Sequence, residues 1–184
     1  MSKPKSAEPV KLIFSIFAVA VPQLDESIAL LSTSYGQPDF ISDLRPFDYT
    51  DYYGREMGEK LIRRFLSMET LIRPETLPDI KLAANKIEDK FTKGERRQVN
   101  IDPGYLSQAH LILATGKGYA HRPYLHDGIY ADLTLIYQNK KFISLPWTYP
   151  DYADEKQLVM FDKIRARYLV QLKMQKEEMR KKEK

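Results

Sequence analysis

LIRRFLSM, residues 61–68, decides how this chain is read. Taken as a strand, it places Leu61, Arg63, Phe65 and Ser67 on one face and Ile62, Arg64, Leu66 and Met68 on the other. Taken as a helix, Met57, Leu61, Phe65 and Met68 share one stripe. The strand reading is adopted because it completes a regular order in the elements on either side. Upstream, the apolar run of residues 12–21 is a buried strand. Leu24, Ile28, Leu31 and Tyr35 then recur at helical spacing between Pro22 and Gly36, and residues 40–47 form a second strand. Downstream, Ile80, Ala84, Ile87 and Phe91 mark a helix over residues 74–91, and residues 97–101 form a strand that ends in the turn Asp102-Pro103-Gly104. The order is βαββαβ. With right-handed crossovers it gives an α+β fold, a ferredoxin-like antiparallel sheet with both helices on one face.

Residues beyond 104 extend that sheet. Residues 109–115 form a strand, and residues 129–137 pair with 142–145 across Asn139-Lys140. In the longer of these, Ile129, Ala131, Leu133, Leu135 and Tyr137 alternate with Tyr130, Asp132 and Thr134, so one face is buried and the other available. Asp154 and Gln157 open a final helix whose Leu158, Phe161, Ile164, Tyr168 and Leu172 face the body.

At 184 residues the chain forms one core. Residues 1–9 are expected to be a disordered tail, residues 10–170 the single domain, and residues 171–184 a charged helix end or tail whose loss leaves stability unchanged. The formal net charge of +4 arises at the ends: the two tails carry eight basic and four acidic residues, and the body is neutral. That counts against nucleic acid as a partner. Cysteine is absent, which removes disulfides and thiolate chemistry. The longest apolar run is about half the roughly 20 residues of a membrane helix. A cytoplasmic location is expected, with no membrane partner; the oligomeric state is not legible.

Three stretches carry chemistry. Asp48 and Asp51 sit in a tyrosine-rich connection, which the topology brings to the end of the sheet where Asn100 and Asp102 emerge. Converging carboxylates and an amide carbonyl suit Mg²⁺ or Mn²⁺, and the same residues also suit plain turns. Lys117, His121 and Arg122 lie on a glycine-flexible loop suited to an anion, with His121 or Asp102 as the candidate catalytic base. Trp147 and Tyr149 belong to a stiff aromatic segment that either closes over a ligand or fixes the last helix to the sheet. His110 is read as a packing residue, and a histidine metal cluster with His126 is disfavoured.

The stretches DYTDYYGREMG, RRFLS, NIDPGYL, LILATGKGYAHRPYL, GIYADLTLIY and PWTYPDY together resemble a bacterial family, domain of unknown function 4416, whose members are sometimes labelled GTP-binding. The resemblance runs from Pro9 to Tyr168 and brings no catalytic residues with it. The GTP label fails on the residues, because Gly116-Lys117 lacks both the leading glycine and the following Ser or Thr of a P-loop. Two functions are therefore expected to compete. One is binding of, or chemistry on, a small anionic, nucleotide-like ligand, with or without a metal. The other is an RNA- or protein-interaction module without catalysis.

Overall fold

The computed structural model describes residues 3–47, 57–58 and 60–182. Its elements run β1 (Val10–Ala18), α1 (Val21–Tyr35), β2 (Pro38–Ile41), β3 (Arg45–Phe47), β4 (Leu61–Ile72), α2 (Leu77–Lys90), β5 (Val99–Leu106), β6 (His110–Thr115), β7 (Tyr130–Gln138), β8 (Lys141–Ser144), α3 (Pro150–Ala153) and α4 (Glu155–Lys182). The chain is mixed helix and antiparallel sheet. LIRRFLSM is strand: β4 pairs with β1 along one edge and with β2 and β3 along the other, so both of its backbone edges are satisfied.

All strands belong to one sheet in the order β2-β4-β1-β5-β6-β7-β8, with β3 paired to β4. β1 lies inside it, buried along its whole length, which explains why residues 12–18 read as a continuous apolar run instead of an alternating one. Its Leu12, Phe14, Ile16 and Ala18 face α1 and α2, packing with Leu24, Leu31, Ile80, Ala84 and Ile87. Its Ile13 faces the opposite way, into a second core where Phe161, Ile164, Tyr168 and Leu172 of α4 meet side chains from β4 through β8. The added strands β6–β8 do more than widen the sheet. They curl it into a half-barrel, and α4 fills part of the inner face.

Several boundaries differ from the sequence reading, each for a local reason. Residues 40–47 are two short strands, because the chain bends at Ser42. That residue keeps the edge closed by donating its N–H to the Phe65 carbonyl and accepting the Phe65 N–H on Oγ, both at 2.9 Å. Asp102-Pro103-Gly104 is not a turn but lies within β5. Asn139 and Lys140 both adopt positive φ (50° and 64°), the tight hairpin geometry their place between β7 and β8 requires. In β7 the alternation breaks: Leu111 opposes Leu135 but Ile112 opposes Leu133, so Thr134 is an extra residue in a bulge. The bulge lets Leu135 and Asp132 point to the same, inner face. Asp132 is therefore buried and not on an available outer surface.

At the C-terminal boundary, Gln171 accepts a hydrogen bond from Lys11 Nζ at 2.7 Å and donates to the Glu69 carbonyl at 3.0 Å. Leu172 is 4% exposed. The packed body therefore extends to residue 172, and the charged helix end begins after it.

Candidate functional site

The inner face of the half-barrel is not completely filled, and the reason lies in β5. This strand pairs with β6 only from Gly104 to Leu106. The approach there is so close that a Cβ on Gly104 would lie 2.5 Å from the Ile112 carbonyl oxygen, which only glycine avoids. From Gly104 back to Val99 the two strands part. The backbone groups left on that edge are satisfied by side chains of α2: Ile101 donates its N–H to Glu88 Oε1 at 2.7 Å, and its carbonyl accepts from Lys81 Nζ at 2.8 Å. Pro103 shares the orientation of Ile101, two residues along. Its missing N–H thus falls on the parted edge and breaks no bond to β1, so a proline is tolerated within the strand.

Where the strands part, a cleft of about 640 Å³ opens. Its floor is the inner-face row Phe17, Arg63, Asn100 and Asp102; α2 contributes Lys81, Asn85 and Glu88 from one side, and residues 113–117, Arg122, Asp132 and residues 149–151 close the other. Lys81, Asn85 and Glu88 stand at i, i+4 and i+7, a polar stripe beside the apolar stripe of the same helix.

Charges in the cleft are arranged in pairs. Arg63, 6% exposed, donates from Nε to Ser15 Oγ at 2.9 Å and from Nη1 to Asp151. Its guanidinium lies against Phe47, Phe65 and Tyr152, 4.2 to 5.1 Å from the ring centroids. Burial opposes the charge on Arg63, but the ion pair with Asp151 works against that, and the pKa of Arg63 lies above the ordinary arginine value. Burial also pushes the Tyr152 hydroxyl up, so it stays protonated. Glu88 Oε2 accepts from Arg97 Nη1 at 2.8 Å, yet burial outweighs its cationic neighbours Lys81 and Arg97 and raises its pKa. Arg97 also donates to Asn100 Oδ1 at 2.9 Å, and Asn100 Nδ2 donates to Asp102 Oδ2 at 2.8 Å. Asp102 faces Lys81 Nζ at 3.4 Å.

Of the residues nominated from sequence, Asp102, Lys117, Arg122 and Tyr149 line this one cleft. Arg122 works as a brace: Nε donates to Asp132 Oδ2 at 2.7 Å, Nη1 to the Lys117 carbonyl at 3.1 Å and Nη2 to the Tyr149 hydroxyl at 3.0 Å. These contacts tie the loop after β6 to β7 and to the segment before α3. His121 and Trp147 stand behind that wall. Their rings stack at 4.9 Å, the indole N–H donates to the Leu133 carbonyl at 2.8 Å beside the bulge, and His121 Nε2 is buried without a hydrogen-bond partner, 3.8 Å from Asp132 Oδ2. Asp48 and Asp51 lie outside the described residues. His110 is half-buried, and burial lowers its pKa, consistent with a neutral packing residue. Among the described residues, the group with ligand atoms close enough to hold a cation is Asp79, His126 and Asp127, at the surface on α2 and the loop before β7.

Arg63, Asn85, Arg97 and Asp151 escaped the sequence reading. A signal existed for two of them: Arg63 occupies an inward position of an otherwise apolar strand face, and Asn85 shares the i, i+4, i+7 spacing of Lys81 and Glu88.

A family model, Domain of unknown function (DUF4416), matches residues 8–168, which takes in the first core, the second core up to Tyr168, and every described residue that lines the cleft. The chain belongs to this family. Neither the curated proteins nor the solved structures give a match to this DUF4416 chain. No described helix is long and apolar enough to cross a membrane.

Proposed function

We propose that this DUF4416 protein binds a small anionic ligand in the cleft between β5, β6 and α2. One observation carries the reading: Asp102, Lys117, Arg122 and Tyr149, nominated from three separate stretches of sequence, line a single cavity. That cavity is large enough for a metabolite and is lined mainly by fixed polar and charged groups, with Phe17, Phe47 and Leu113 among its apolar members, a concave site with convergent polar groups. The strand order β2-β4-β1-β5, with α1 and α2 on one face, also supports reading the first half of the chain as a ferredoxin-like unit. In that reading the cleft forms where the additional strands leave the unit.

The test is a thermal-shift panel of carboxylates, phosphate monoesters and nucleotides, run at low salt on the parent chain and on Lys117→Ala and Tyr149→Phe. A ligand that binds only the folded state raises Tm by mass action. At least one class is expected to raise Tm in the parent, with a smaller rise in both variants. If no anion of any class changes Tm, the cleft is not an anion site.

A further inference from the structure

Resting on that reading, we infer that the ligand is a singly charged carboxylate with a hydroxyl-bearing body, anchored by Arg63 and Asn85, and not a polyphosphate. The first reason is the sum of charges. Among the described residues the cleft is lined by five cationic side chains, Arg63, Lys81, Arg97, Lys117 and Arg122, and four carboxylates, Glu88, Asp102, Asp132 and Asp151. One negative charge balances that lining. Each further charge on a ligand finds no uncompensated cation in the described lining, in a partly desolvated site where Coulomb interactions are weakly screened. A metal-free triphosphate brings several such charges.

Unused hydrogen-bonding capacity is the second reason. Most polar groups in the cleft are already consumed by one another. Arg63 is an exception: its Nε and Nη1 are engaged by Ser15 and Asp151, but Nη2 has no partner among the described residues and keeps solvent contact, on a side chain that lines the cleft. A guanidinium edge buried among three aromatic rings is a strong donor to a planar oxyanion. Asn85, half-buried on α2, also lines the cleft with its amide unpartnered among the described residues. Asp151 accepts from Arg63 on Oδ2 and leaves Oδ1 open. Two donors and an acceptor thus line the one cleft. Arg63 and Asn85 suit a carboxylate, and Asp151 Oδ1 suits the hydroxyls of the same molecule, a hydrogen bond a bare anion cannot make.

Titration calorimetry with sodium gluconate, inorganic phosphate and magnesium-free GTP tests this on the full chain. Asn85→Ala removes no hydrogen bond made among the described residues, and Arg63→Lys keeps the charge while losing Nη2. Gluconate is expected to bind, about tenfold more weakly in Asn85→Ala, the loss of one hydrogen bond to a charged group, and at least as much more weakly in Arg63→Lys. Phosphate and GTP are expected not to compete. If phosphate or GTP binds and gluconate does not, the anion site stands and this assignment falls. Gluconate binding that is unchanged in Asn85→Ala also overturns it, as does silence from all three probes, whereas the reading beneath it falls only if the whole thermal-shift panel is silent.

Discussion

Removing the Arg63 guanidinium would leave Asp151 buried without its partner, and removing Asp151 would leave a buried cation. Breaking such a pair on one side costs about 3–5 kcal/mol, whereas replacing both members by apolar groups of similar volume is often neutral. Arg63→Met and Asp151→Leu are therefore each expected to lower stability by that order in urea unfolding. The double variant should recover most of the loss, because Phe47, Phe65 and Tyr152 already provide apolar surroundings. Equal and additive losses would show that the pair is not coupled. Sequence alone did not disclose it. An arginine in a strand reads as solvated until the partner is known, and Asp151 lies 88 positions away. Asp132 was misplaced for a related reason: strict alternation puts it opposite Leu135, and only the extra residue Thr134 brings the two to one face.

Most elements could be read from spacing, because apolar periodicity reports which face is buried. Strand ends could not, since they depend on what the neighbouring strand does. Asp102-Pro103-Gly104 has the composition of a turn, yet it continues as strand because Pro103 points its missing donor where β6 has left. The final helix carries the same lesson at its far end. Its apolar stripe ends at Leu172, but the boundary was set before Gln171, whose bonds to Lys11 and Glu69 leave no periodic trace. Deleting residues 173–184 is expected to leave Tm nearly unchanged. Deletion from residue 171 loses the burial of Leu172, about 1.5–3 kcal/mol, and both Gln171 bonds. For a chain of this size that lowers Tm by roughly 5–10 °C. Two truncations that melt together would mean residues 171 and 172 do not hold α4 to the body.

Across the whole molecule, the sum of charges at +4 misleads, since the basic excess belongs to the tails and the cleft is close to balance. The antiparallel α+β character was legible from the order of elements, whereas the close approach at Gly104 and the bulge at Thr134 were not, because single-residue features leave no periodic trace. The cleft was legible only as fragments. Each nominated loop carried plausible polar residues, but their convergence needs the parting of β5 from β6. The central claim is that this parting makes a ligand site. It is tested most directly by following ¹H–¹⁵N spectra during titration with gluconate. The account predicts saturable shifts in the Asn85 side-chain amide and in the backbone amides of Ile101, Thr115 and Lys117, with α4 beyond Leu172 unmoved. Shifts scattered over the surface, or confined to the far end of α4, would contradict it.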